Sequence, residues 1–437
     1  MNVRGDVMEK TAIFTKLDDV ICFFVTDGKI LYNADAEKVK DEKTKCEKAK
    51  GEKTKGERPD NRAILNAKKA SIGDIEVGNV YLGKIRNVSK NLSACFVEYK
   101  EGVTGFLSVN KNEIDEYKGG MLLPVTVIKD KVKTKDAVLS KDITLAGMYV
   151  VVSDNGCGIK YSGKLEDDKK DPFKELLNEK IKENNVTCVV RNLAGFLDLS
   201  DADDRTRIIC EFDELCHKLK DIRDYSDKRT AFSRLYEGAG FVRKNLAVLD
   251  LSDTEKIITD DPDTYTLITS LLPSGISDKC VYYSDDYSLK ALYNLKKQVS
   301  ETISGRIWLK SGGFLVIDET EAMTVIDVNT GKNEGKISKN ELIEITNKEA
   351  VSRIAPLITA SGMSGIIIID LVGVDAEAIR KSGVLEMFSQ LFKNDHDNAR
   401  AVDITKLGLV EITRMKRERP LIRKLKECGI YEAFKDE

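Results

Sequence analysis

Short apolar runs rich in β-branched and aromatic residues recur along this chain and predict strands. TAIFTKL, DVICFFV and KILYN near residues 11–32 read as two or three of them, and Asp27-Gly28 between apolar runs is a hairpin signal. NVYLGKIRNV, SACFVEYK, GVTGFLSV, LLPVTVIKDKV and AVLS follow within residues 76–142. Short, glycine-punctuated strands of this kind predict a small barrel. Beyond residue 143 a strand pair, MYVVVSD and TCVVRNL, mixes with helical stretches around 171–183 and 203–233. From 241 the pattern alternates: a strand at AVLDL, a helical region over 253–272, a strand at CVYYSD and a helix near 288–302. The remainder reads as α/β. RIWL, GFLVID and AMTVIDV form hairpin strands, and Ile343, Ala350, Val351 and Ile354 recur at helical spacing over about 339–355. The strand IIIID, a helix near 375–393 and a final strand around ARAVDIT complete an α/β multidomain chain.

The strand MTVIDVN at 323–329 carries the clearest chemistry. Side chains two apart in a strand share a face, so Val325, Asp327 and Asn329 line one side. A second carboxylate, Asp370, closes the apolar run GIIIID at 365–370. The passage from Asp327 to Asp370 is long enough for a helical crossover, and ligands in such sheets gather at the carboxyl ends of strands. Two strand-end carboxylates suit a hard divalent cation such as Mg²⁺, which prefers oxygen ligands and keeps several waters. The bland alternative is that both aspartates only terminate strands.

Composition narrows the partners. The 437 residues suffice for about two to four domains. The formal net charge of −3 means that nucleic-acid binding has to come from local patches. No signal peptide and no membrane-length apolar run is found, which predicts a cytoplasmic protein without membrane contact. The nine cysteines form no CxxC pair and only two histidines are present, so zinc is not expected and reduced structural thiols are. Residues 37–75 hold a Lys/Glu-rich segment (KVKDEKTKCEKAKGEKTKGERPDNR) that reads as a solvated linker, with RNA tethering as the alternative.

Two features of the middle of the chain suit RNA. Phe96 and Phe106 sit in consecutive barrel strands near Lys84, Arg86, Lys129, Lys131, Lys133 and Lys135. Aromatic faces beside cations hold single-stranded nucleic acid, although both rings are equally compatible with barrel core. Arg191, at the end of TCVVRNL, offers its fork to a phosphate or to a surface acid.

Taken together these segments resemble the ribonuclease E/G family of bacterial endoribonucleases. The resemblance rests on SGGFLVIDETEAMTVIDVNTG (311–331), TNKEAVSRIAPLITASGMSGIIIIDL (346–371) and KLGLVEITRMKRER (406–419). VYLGKIRNVSKNLSACFVEYKEGVTGFLSV (80–109) is similar to the family's S1-type domain, and KDAVLSKDITLAG (135–147) to its exit strand.

The resemblance implies an RNase H-like subdomain split between residues 1–36 and 241–302, with an S1-type OB barrel (76–142) and a 5′-sensor region (143–240) inserted. A DNase I-like catalytic subdomain would span 303–419. Asp327 and Asp370 match the Mg²⁺-chelating aspartates, and Asn329 the asparagine that binds the scissile phosphate. Phe96, Phe106 and Lys135 match the residues that hold the RNA strand; Gly147, Val151, Arg191 and Asn192 match the pocket that reads a 5′-monophosphate. The implied reaction is Mg²⁺-dependent cleavage of single-stranded RNA in rRNA and mRNA processing and decay, leaving 3′-hydroxyl and 5′-phosphate ends.

The chain departs from the family in places. Asn192 replaces a threonine, and Gly373 stands where a second acid often follows the second aspartate motif. The tail 420–437 lacks the CPxC zinc-link, leaving Cys428 and any homodimer without a zinc bridge. The rival expectation is an RNA-binding or ribosome-associated factor with weak or no catalysis; single-stranded DNA as substrate is a third.

Overall fold

Among the described residues, runs rich in β-branched and aromatic residues build four sheets, and the N-terminal one is buried on both faces, with Ala12, Phe14 and Phe23 in one core and Ile13, Cys22 and Phe24 in another. The computed structural model describes residues 9–39, 77–129, 131, 136–163, 165–331, 338–373, 375–417 and 419–435. The linker expectation for 37–75, beyond its first three residues, and the Lys135 expectation fall outside them.

Strands β1 (Lys10–Leu17), β2 (Val20–Thr26) and β3 (Leu31–Lys38) form the predicted N-terminal hairpins. The Asp27 carboxylate closes the second turn, accepting from the Lys29 and Ile30 N–H groups at 2.8 and 2.7 Å. The predicted barrel is present as β4 (Val80–Ser89), β5 (Ala94–Lys100), β6 (Val103–Ser108), β7 (Leu122–Lys129) and β8 (Ala137–Ser140). Their order β4-β5-β6-β8-β7 closes by pairing β7 to β4, which leaves five strands around Ile85, Val97, Tyr99, Leu107 and Val125.

A four-stranded sheet follows, from β9 (Thr144–Ala146), β10 (Val150–Ser153), β11 (Gly158–Tyr161) and β12 (Thr187–Val190). Helices α1 (Asp167–Asn184) and α2 (Ala202–Tyr225) accompany it, and β13 (Arg234–Tyr236) returns to pair with barrel strand β4. The expected strand at AVLDL (247–251) does not form: its first two residues end helix α3 (Phe241–Val248), whose buried Phe241, Val242, Asn245 and Leu246 repeat at helical spacing, and the rest lie in the following loop. The helix expected from 253 begins later. TEKIIT, rich in β-branched residues, forms β14 (Thr254–Thr259), and α4 (Pro262–Leu271) starts only at Pro262 behind the Asp261 cap. With β15 (Cys280–Tyr282) these strands complete a sheet of order β15-β14-β1-β2-β3, in which β1 and β14 run parallel. One sheet thus joins chain segments more than two hundred residues apart.

After α5 (Leu289–Leu292) and α6 (Leu295–Ile303) comes a six-stranded sheet. Its strands are β16 (Arg306–Trp308), β17 (Phe314–Glu319), β18 (Met323–Asn329), β19 (Gly365–Asp370), β20 (Arg400–Ile404) and β21 (Leu409–Arg414). The order is β16-β17-β18-β19-β21-β20, with only β18 and β19 parallel. The crossover between those two is helix α7 (Lys339–Ser361). Its Ala350, Val351, Ile354 and Ile358 are fully buried in one core with Ile326, Ile367, Ile369 and Ile412. The helix expected near 375–393 is broken at Gly383 into α8 (Ala376–Lys381) and α9 (Val384–Leu391). Strand β21 and the closing helix α10 (Leu421–Cys428) were not among the sequence expectations. The opposite face of this sheet holds the predicted carboxylates.

Candidate active site

Alternation along β18 sends Thr324, Ile326 and Val328 into the core and turns Val325, Asp327 and Asn329 the other way. On β19 the same rule buries Ile367 and Ile369 and exposes Asp370. The parallel register then pairs Asp327 directly with Asp370. Adjacent strands lie about 4.8 Å apart, so the two carboxylates stand side by side on one exposed face. The Asn329 amide nitrogen donates to Asp327 Oδ2 at 2.8 Å, which fixes the orientation of that carboxylate.

Among the described residues no lysine or arginine pairs with either aspartate. Two strand-end carboxylates brought together without a protein cation fit a magnesium ion, whose remaining positions water and substrate oxygens fill. No group of three or more His, Cys, Asp and Glu suited to a metal occurs among the described residues, so a cage made of protein ligands alone is not offered. Gly373 stands in the turn just after β19 with φ +61°, a conformation that disfavours side chains, and its own would meet Ile343.

The predicted RNA-holding rings lie on the barrel's outside. Phe96 and Phe106 are cross-strand partners, half-buried, with centroids 5.9 Å apart in an edge-to-face arrangement. Their neighbours Cys95, Val97 and Leu107 fill the interior, so the barrel-core alternative does not hold. Of the cations named with them, Arg86 pairs with Glu98, while Lys84 is half-buried and Lys129 and Lys131 are exposed.

The residues expected to read a 5′-phosphate do converge. Val151 lies on β10, paired antiparallel to β12, which leads into Arg191 and Asn192; Gly147 precedes the same sheet edge. The Arg191 guanidinium donates to the carbonyl of Gly147 at 2.8 Å and to that of Ala247 at 3.4 Å. It therefore does not reach out to a surface acid. Glu211 on α2 is the residue sequence reasoning missed here. Its carboxylate accepts from the N–H groups of Met148, Tyr149 and Val150 at 2.8, 2.7 and 2.9 Å. Burial pushes the Glu211 carboxyl up, opposed by those three donors and by Arg191. A side chain at Gly147 would run into this carboxylate and displace it. The signal was an acid sitting on the apolar stripe Ile208, Phe212 and Leu215.

A large cavity of about 870 Å³ lies elsewhere, lined by Asp35, Arg191, Lys244 and Arg414 among others, and neither Asp327 nor Asp370 lines it. An open sheet face suits a polymer better than an enclosed pocket does, so the carboxylate pair remains the candidate centre.

Comparison with known proteins bears on the family of the chain. The sequence pattern of the Ribonuclease E/G family matches residues 144–417. Relatives include ribonuclease E of Synechocystis, 26% identical over 82% of this chain and 56% of its own length. Ribonuclease G of Haemophilus influenzae is 27% identical over 78% of this chain and 72% of its own. Ribonuclease G of Escherichia coli K12 matches at 27%, over 78% and 73%. The chain thus spans little more than half of that ribonuclease E and nearly three quarters of the ribonucleases G. With a match over well above half its residues, this chain belongs to the ribonuclease E/G family of endoribonucleases.

Proposed function

We propose that this protein is a Mg²⁺-dependent endoribonuclease that cleaves single-stranded RNA, with a preference for 5′-monophosphorylated substrates. The observation that carries the reading is the register pairing of Asp327 with Asp370, with Asn329 bonded to the first. Asp327 and Asp370 hold the ion. Bound there, Mg²⁺ supplies Lewis acidity that activates water and offsets charge growing on the phosphate. The Asn329 amide has two N–H donors and spends one on Asp327, leaving the other to orient a phosphate oxygen.

Phe96 and Phe106 offer a stacking surface on the barrel for the RNA strand, with Lys135 as its cationic partner. Arg191, Asn192, Gly147 and Val151 read the 5′ end, within a loop braced by Glu211. In this reading the N-terminal sheet is the RNase H-like subdomain, split around the S1-type barrel, and the six-stranded sheet is the DNase I-like subdomain. Zinc has no part in the proposal, and the reaction is placed in the cytoplasm; among the described residues no helix is long and apolar enough to cross a membrane.

The decisive assay uses a 5′-monophosphorylated, AU-rich single-stranded RNA with and without Mg²⁺. Cleavage should require the metal, and Asp327→Asn or Asp370→Asn should slow it by about a hundredfold or more, the scale of losing one group that stabilises the transition state. Equal rates for wild type and Asp327→Asn at saturating Mg²⁺ would remove Asp327 from the centre, and no cleavage by wild type would leave a non-catalytic RNA binder.

A further inference from the structure

The exposed face that carries Asp327 and Asp370 continues sideways into an aromatic cluster. Trp308, the chain's one tryptophan, lies on edge strand β16 and is 66% exposed. Its ring centroid is 5.3 Å from that of Phe314 on β17, at 58°. The Arg306 guanidinium lies 3.9 Å from the Phe314 centroid and 4.9 Å from that of Trp308. Among the described residues no carboxylate pairs with Arg306.

Register places this cluster relative to the centre. Trp308 pairs with Phe314, and Phe314 pairs with Asn329. Arg306 pairs with Val316, Val316 with Asp327, and Asp327 with Asp370. Cross-strand partners point to the same side, so these are two adjacent rows on one surface. The aromatic end of the first row is two strand spacings from Asn329, roughly 10 Å.

Resting on the endoribonuclease reading above, we propose that Trp308 and Phe314, with Arg306 against them, form a stacking subsite for the nucleobase next to the scissile phosphate. An indole left largely in water offers a flat face on which any base stacks without sequence readout. The unpaired guanidinium brings positive charge to its edge, matching a ligand that is both anionic and rich in π-faces. A second copy of the chain would cover the indole too, but would find an unpaired cation and two acids beside it.

The single tryptophan makes the test direct, because intrinsic emission reports on this site alone. A fluorescently labelled single-stranded oligoribonucleotide is titrated into the full-length protein in EDTA, following anisotropy and tryptophan emission together. Emission should quench over the same concentrations at which anisotropy rises. Trp308→Ala should weaken binding roughly 5- to 150-fold, the effect of losing one stacked base, while Trp308→Phe stays near wild type. An abasic position beside the cleaved bond should weaken wild type but not Trp308→Ala.

Binding without quenching, with Trp308→Ala matching wild type in affinity and in Mg²⁺-supported cleavage, overturns the subsite and leaves the nuclease intact. Unchanged RNA affinity with a loss of self-association in sedimentation overturns it in favour of a subunit contact. If wild type does not cleave in Mg²⁺, the nuclease reading fails by itself, and quenching and affinity still decide whether a base stacks here.

Discussion

At the scale of single residues, the site depends on small differences in what each polar group touches. Asp327 and Asp370 are exposed and meet no protein cation among the described residues, whereas Arg191 is committed to two backbone carbonyls. That contrast leaves the aspartates open to a ligand and makes Arg191 partly structural. Arg191→Ala should therefore do two things. The ratio of cleavage rates for monophosphate over triphosphate RNA should fall towards one, and the protein should lose about 1–3 kcal/mol as the two carbonyls lose their donor and Glu211 its neighbouring cation. A preference for monophosphate that survives the substitution would take Arg191 out of end-sensing, whatever its cost to stability.

At the scale of elements, helix α2 links a distant cap to the Gly147–Val151 loop. Its Asp201 cap accepts from the Asp203 and Asp204 N–H groups at 2.9 and 3.0 Å, and three turns on the same helix delivers Glu211 to the Gly147–Val151 loop. Replacing Asp201 by alanine should cost about 1 kcal/mol. Hydrogen exchange should show that loss as faster exchange in the first turn of 202–225, with the six-stranded sheet unchanged. Uniform acceleration over the whole chain would mean that α2 does not open as a local unit.

At the scale of the whole molecule, one buried ionic cluster ties distant segments together. Asp35 on β3 accepts from Lys424 on α10 at 2.6 Å, from Lys244 on α3 at 2.9 Å and from Asn245 at 3.3 Å. Burial alone would raise the Asp35 carboxyl, but the two lysines outweigh it and hold it well below the usual carboxylate range. A carboxyl depressed in the folded state stabilises the protein above its unfolded pKa of about 4, and that stability is lost as pH falls below it. Asp35→Asn should remove this acid dependence and cost about 3–5 kcal/mol at neutral pH, because it strands two lysines in the interior. Denaturant titrations at pH 7 and pH 3 would measure both effects; equal losses at the two pH values would show that the charge is not what holds the segments.

Local pattern carried much of this protein. The alternation in MTVIDVN turned Asp327 and Asn329 to one side, and short glycine-punctuated strands announced the barrel, because side-chain period is a property of the chain itself. The roles proposed for these residues come from the family resemblance, since no spacing carries them. Tertiary structure alone decided the register that sets Asp327 beside Asp370, the closure of β7 on β4, and the return of β14 to pair with β1. It also moved Phe96 and Phe106 outside the barrel and brought Glu211 under the loop before Val151. Those contacts join residues far apart in the chain, and their energies come from packing and hydrogen bonds that exist only once the segments meet.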